Sequence, residues 1–212
     1  MRQQARWTAA VLLAVIALAG CGTTGRADGT SATASATRAG PLVATASRSA
    51  VNGMLARCDP GALTLAYGPQ LSPMTGEHGM LYELVNHGRL TCVLAGYPRV
   101  ALYAGGAALP FRYAHGGGPY VTSAAPAAVT LRPGQAAWVL VAKYRCDLGI
   151  IRNATTIRLI LPGAPRAVLT GRVAPGGVGV SDLSYCRGGL GEPGQTVTVS
   201  PFESTRRATS RI

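Results

Sequence analysis

The residues best equipped for chemistry in this chain are its five cysteines, and their settings divide them into two kinds. Cys21 closes the run Leu18-Ala19-Gly20-Cys21, directly after an apolar stretch from Thr8 to Leu18 and a basic start with Arg2 and Arg6. That stretch has about half the ~20 residues a membrane-spanning helix needs, so residues 1–20 read as a signal peptide. Leu-Ala-Gly-Cys matches the bacterial lipobox, where small residues admit the signal peptidase and the cysteine sulfur takes a diacylglyceryl group before cleavage. Cys21 is therefore expected to be the lipidated N-terminus of a mature protein. It would be held on the extracytoplasmic face of the cell membrane, since two acyl chains anchor firmly where one does not. No Arg-Arg pair precedes the apolar stretch, which favours general secretion over the twin-arginine route.

Four cysteines remain: Cys58, Cys92, Cys146 and Cys186. An even number in an oxidising compartment reads as two disulfides. Of the three pairings, the sequential one, Cys58–Cys92 with Cys146–Cys186, is preferred. A zinc site is the weaker alternative: there is no C-x-x-C, and His78, His87 and His115 lie at no ligand-like spacing.

Other constellations give way to plainer readings. Gly189-Leu-Gly-Glu-Pro-Gly194 has the letters of a dinucleotide loop, but a proline sits inside it and a strand pattern, not a helix, follows. Gly116-Gly-Gly118 is followed by Pro119 and not by the lysine and helix of a phosphate cradle. The one lysine, Lys143, has Leu140 three residues before it, which excludes S-x-x-K. No G-x-S-x-G occurs, Ser181-Asp182 has no histidine after it, and neither Cys146 nor Cys186 is followed by the histidine and methionine of a blue-copper site. Asn153-Ala-Thr155 is a glycosylation sequon by letters only, and His87 beside Gly88 reads as a turn residue. Glu77, Glu83, Asp147 and Asp182 are the carboxylates from which an acid–base pair would have to be drawn. The expectation is a protein that is not an enzyme and needs no cofactor or metal; an envelope hydrolase on an unrecognised carboxylate pair is the alternative.

Charge points outward to partners. With Arg2 and Arg6 removed, 18 basic residues stand against 8 acidic ones. The excess lies in residues 21–57 and 132–212, while residues 58–131 balance. Such a surface attracts anionic lipid headgroups or acidic wall polymers, although a GC-rich coding sequence also favours arginine over lysine. Nucleic acid is not an expected partner, because the compartment is wrong and no nucleic-acid-binding motif occurs.

The elements that would position these groups are short strands. Residues 21–52, rich in Gly, Ala, Ser and Thr, read as a flexible tether behind the lipidated cysteine, with a reach of roughly 30 Å. Residues 53–203 are one domain, and 204–212 a disordered basic tail. Alternation and β-branched content mark about nine strands, over 62–67, 80–85, 100–103, 109–113, 128–132, 136–142, 155–161, 167–173 and 196–199. The strand 136–142 is apolar on both faces and therefore central; Ile157, Leu159 and Leu161 share one face with Arg158 opposite. On 80–85, Glu83 marks its own face, with Leu81 and Val85, as the more exposed. Turn residues fill the joints, including Asn86–Gly88, Pro133-Gly134 and a Gly96-Tyr-Pro98 corner. The expected fold is all-β: an immunoglobulin-like antiparallel β-sandwich stapled by two disulfides.

These residues together resemble a family. Cys58, Leu84-Val-Asn86, Thr91-Cys92-Val-Leu-Ala-Gly96-Tyr97-Pro98, Val129-Thr-Leu-Arg-Pro133-Gly134-Gln-Ala136, Cys146, Ile157-Arg-Leu-Ile-Leu-Pro162, Cys186 and Val197–Pro201 form its pattern. The pattern is similar to that of a secreted domain, domain of unknown function 4232, common in lipobox proteins of actinobacteria. The resemblance implies source and compartment and carries over no catalytic residue.

Function is then expected to lie in binding. Loops carry recognition on sandwiches, and aromatics with arginine give most contact energy. Tyr103, Phe111, Arg112, Tyr113, His115 and Tyr120 are thus the candidate binding loop. Its ligand would be an anionic wall polymer or headgroup, or its partner another envelope protein in which case the chain is an accessory subunit.

Overall fold

Apolar and polar residues alternate along this chain, and the alternation sorts each strand into a buried and a solvent side. The computed structural model describes residues 55–72, 76–146, 149–174, 183–186 and 193–211. The signal peptide, Cys21 and the tether lie outside the described residues, as do Asp147, Asp182 and Gly189 to Glu192.

In chain order the first strands are β1 (Leu63–Leu71), β2 (Glu77–Asn86), β3 (Cys92–Leu94), β4 (Arg99–Ala104), β5 (Ala107–Ala108) and β6 (Arg112–His115). Then follow β7 (Val129–Leu131), β8 (Ala136–Tyr144), β9 (Ile150–Asn153), β10 (Thr156–Ile160), β11 (Val168–Arg172), β12 (Ser184–Cys186) and β13 (Thr196–Val199). One sheet has the order β1-β2-β8-β13-β6 and another β11-β10-β4-β5; β3 with β7, and β9 with β12, form two-stranded ribbons. All pairs are antiparallel except β6, which runs parallel to β13. Met80, Tyr82, Val139, Val141 and Val199 from the first sheet meet Val100, Leu102, Ile157, Leu159 and Leu169 from the second in one core. Each such apolar side chain contributes about 1.5–3 kcal/mol on burial. The protein is an all-β sandwich.

β8 lies between β2 and β13 and is buried along nearly its whole length, as an apolar pattern on both faces requires. Ile157 and Leu159 are buried and Arg158 is exposed, as their alternation predicts. The strands beyond the expected nine are β3, β5, β9 and β12, none longer than four residues and too short to show a period. Gly68-Pro69 lies within a register shift of β1, which continues to Leu71.

The turn after β2 is held by Asn86. Its buried side-chain Nδ2 donates to the carbonyls of Leu90 (2.9 Å) and Leu131 (3.0 Å), and its Oδ1 accepts from the Gly88 N–H (2.9 Å). At Pro133-Gly134, Gly134 has φ +78°, a left-handed conformation that suits glycine, and the Gln135 N–H closes the turn onto Arg132. The preferred disulfides are both present: Cys58–Cys92 and Cys146–Cys186, with Cα separations of 4.8 and 5.6 Å.

Two expectations need correction, and they share a cause. Leu81 is buried, not exposed beside Glu83, and the C-terminal segment is folded, not disordered. Leu81, Trp138 and Leu140 make the outer face of the five-stranded sheet apolar, and an apolar face needs cover. Tyr120 and Val121 supply part of it, and the C-terminal segment the rest. Glu203 pairs with the Trp138 backbone, Arg206 lies over the Trp138 ring at 4.3 Å, and Arg207–Thr209 form one 3-10 turn with Thr209 buried. Ser210 bridges Val121, and the Arg211 N–H donates to the Tyr120 carbonyl (2.8 Å).

Candidate functional site: a basic sheet face

Of the six residues expected to form one binding loop, Phe111 and Tyr113 stay in ring contact at 6.4 Å with Tyr103 nearby, but the six do not form one exposed surface. Phe111 is a core residue, its ring edge-on to Tyr185 at 5.2 Å. Tyr120 is fully buried under the C-terminal segment, and its hydroxyl has no hydrogen-bond partner among the described residues. Tyr113 is half-buried and its Oη accepts from the Leu102 N–H (2.9 Å). Burial raises the Tyr113 phenol, a shift that this bond partly opposes and nearby Tyr103 adds to. Arg112 and His115 are exposed on β6, where His115 stacks on Tyr97 of the Gly-Tyr-Pro corner at 4.7 Å. Tyr103 lies near Tyr113 but on another strand, β4.

Tyr103 belongs to a surface that spacing along the chain does not reveal. In the four-stranded sheet, Arg158 of β10 lies opposite Ala101 of β4 and Thr170 of β11. Arg99 is opposite Ile160, and Arg172 opposite Thr156, which also faces Tyr103. Partners directly across a ladder share a face. Arg99, Arg158 and Arg172 therefore stand on the solvent side, one per strand, displaced by two residues at each step. They form a diagonal across three strands, with successive Cα atoms roughly 7–8 Å apart.

The middle arginine is held in place. The Arg158 guanidinium carbon lies 4.3 Å from the Tyr103 ring centroid, and Nη1 donates to the phenol oxygen at 3.3 Å. Ala101 is the small residue between Arg99 and Tyr103, and this leaves a shallow hollow of about 380 Å³ bounded by Arg99, Tyr103, Arg158, Ile160 and Val168. Strands β4, β5, β10 and β11 contain no aspartate or glutamate. The four carboxylates among the described residues lie elsewhere. Asp59 caps a 3-10 turn, Glu77 and Glu83 are on β2, and Glu203 is beside β8. Among the described residues, then, no carboxylate lies on the strands that carry Arg99, Arg158 and Arg172.

A second hollow of about 320 Å³ lies on the five-stranded sheet, lined by Glu77, Tyr120, Tyr144, Thr196 and Thr198. Burial raises the Glu77 carboxyl above its ordinary range, with the Lys143 charge opposing, and burial also raises the Tyr120 phenol. Among the described residues Glu77 is the one carboxylate lining it, where acid–base hydrolysis would use a pair. At Pro193–Gln195 one 3-10 turn runs straight into β13, with no helix after the glycine-rich letters. Arg99 and Arg172 are the residues that motif reading passed over. Their outward alternation is visible in sequence, but the register that aligns them with Arg158 is not.

No curated protein and no solved structure matches the chain. A family model described as Domain of unknown function matches residues 58–203, from the first disulfide cysteine to the glutamate beside Trp138. The chain belongs to that family, Domain of unknown function (DUF4232).

Proposed function

We propose that this protein is a lipid-anchored, extracytoplasmic binding module that holds an anionic component of the cell envelope and carries out no chemistry of its own. The observation behind this reading is the outer face of β4, β10 and β11, where three arginines and a tyrosine gather on strands free of carboxylates. Guanidinium groups on a rigid sheet pair with phosphate or carboxylate through planar, directed N–H donors. Like-charged neighbours repel one another when empty, and that repulsion is relieved when an anion sits between them.

The cysteines support an extracytoplasmic reading. Two disulfides suit an oxidising exterior, and the lipobox at Cys21 suits an anchor. Nucleic acid offers the same phosphate chemistry but belongs to another compartment.

The test is co-sedimentation of the mature chain carrying Cys21→Ala with purified cell wall and with anionic vesicles across a salt series. Saturable binding to at least one of them, weakened by Arg158→Gln, supports the reading; no binding to either at low salt removes it. The anchor is tested separately by fatty-acid labelling in cells, which the same Cys21→Ala change should abolish.

A further inference from the structure

The arginine diagonal has a spacing, and spacing selects among anions. We infer that the face formed by Arg99, Arg158 and Arg172 binds a linear phosphodiester polymer with one phosphate per three-carbon unit, laid across the strands; this rests on the anion-binding reading above. Each step of the diagonal crosses one strand and moves two residues along it, roughly 7–8 Å between Cα atoms. A polypeptide advances roughly 3.3–3.6 Å over three backbone bonds. The six-bond repeat P–O–C–C–C–O of a phosphodiester-linked three-carbon unit therefore spans about 7 Å when extended. The phosphate repeat of such a chain thus matches the Cα spacing of consecutive arginines, whose long side chains reach from those positions to the phosphates.

Other polyanions fit worse. Inorganic polyphosphate carries a charge every two backbone bonds, about a third of that repeat, so most of its charges would face no arginine. A polysaccharide with one carboxylate per two sugars is too sparse to meet three arginines in a row. A headgroup layer presents charges in a plane without a fixed order and gains nothing from a diagonal.

The face has further features suited to an extended strand. Arg158, at the middle, is stacked on Tyr103 and hydrogen-bonded to its phenol, so one guanidinium edge is fixed and less freedom is lost on binding. The hollow over Ala101 lies between the Arg99 and Arg158 side chains, where the three-carbon linker would pass. Ile160 and Val168, both at least partly exposed, border that path with apolar surface suited to methylene groups.

The experiment uses the mature chain carrying Cys21→Ala. The probes are synthetic 1,3-glycerol-phosphate oligomers with one, two, three and six phosphates, inorganic polyphosphate, and phosphatidylglycerol vesicles. Affinity is expected to climb from one phosphate to three and then level off, with a log–log salt slope of about −2 for three contacts. Arg99→Gln, Arg158→Gln and Arg172→Gln should each weaken three-phosphate binding about threefold, while Arg132→Gln, which removes the same charge away from this face, leaves it unchanged. Arg158→Lys should recover only part of the loss. Thermal melts of each variant separate lost binding from lost folding.

Affinity that rises steadily through six phosphates with no break at three, or polyphosphate bound more tightly at equal charge, would overturn the polymer assignment. Vesicles bound through the same arginines while oligomers are ignored would also overturn it, though the anion-binding reading would survive. If none of the probes binds, the polymer assignment falls, and the anion-binding reading falls with it only if purified cell wall is not bound either.

Discussion

Arg158 lies over the ring of Tyr103, its guanidinium carbon 4.3 Å from the ring centroid and its Nη1 donating to the phenol oxygen at 3.3 Å. The two come from strands far apart in sequence and meet because β10 pairs with β4 in a register that sets Thr156, not Arg158, directly opposite Tyr103. The contact is therefore a diagonal one, within reach of a long side chain. It fixes the central cation of the basic face.

The pair should couple measurably. In a cycle of Tyr103→Leu, Arg158→Gln and the double variant, urea unfolding is expected to give an interaction energy of about 0.5–1 kcal/mol, the range of an exposed cation–π contact. Additive effects would mean that Arg158 is not held by the ring in solution.

The buried hydroxyl of Tyr120 is a second target. It has no hydrogen-bond partner among the described residues, and a Cβ added at Gly79 would run into it. Tyr120→Phe removes an unpaired buried polar group and should leave stability unchanged or raise it by up to about 1 kcal/mol. Gly79→Ala should cost about 1–3 kcal/mol from overpacking, and Tyr120→Phe in the same chain should recover part of that loss. Denaturant midpoints of the four proteins decide this. An unrecovered Gly79→Ala would place the clash elsewhere.

Stability should depend on pH through Glu203. Burial beside Trp138 raises its carboxyl above the ordinary 4.5, so the folded chain takes up a proton that the unfolded chain has released. Its contribution is then fully present below that ordinary value and is lost as pH rises through the folded-state value. Glu203→Gln should melt higher than the natural chain at pH 7, and the difference should close below the unperturbed 4.5. A difference independent of pH would show that titration of Glu203 is not its source.

The two disulfides should be separable in their effects. Cys58–Cys92 and Cys146–Cys186 join residues 34 and 40 positions apart. In the chain-entropy model, removing either costs about 4 kcal/mol, with delivered values often lower. Non-reducing peptide mapping should recover these two pairs and no crossed one, and serine variants of either pair should unfold at lower urea while the other pair still forms.

Sequence reading reached the scaffold because alternation and cysteine parity are local or countable. The buried β8, the outward Arg158 and the disulfides follow from such signals. It failed where a distant segment supplies the environment. Leu81 looks exposed beside Glu83 until Tyr120, Val121 and the C-terminal segment cover the outer sheet, and Phe111 and Tyr120 look like contact residues until they prove to fill space. The basic face was half legible. Each arginine alternates outward on its own strand, but their alignment depends on two registers, β4 with β10 and β10 with β11, that no single stretch encodes. Tyr103 is a candidate by residue type, and its place in the structure is as the support of Arg158.

The most direct measurement compares two variants of equal charge in sedimentation with cell wall. One carries Arg99→Gln, Arg158→Gln and Arg172→Gln on the basic face; the other carries Arg89→Gln, Arg132→Gln and Arg211→Gln, exposed positions outside it. The expected result is binding lost about thirtyfold in the first and retained in the second, if exposed ionic contacts add at about threefold each. Equal loss in both would mean that net charge alone attracts the envelope, and would contradict a site on the sheet.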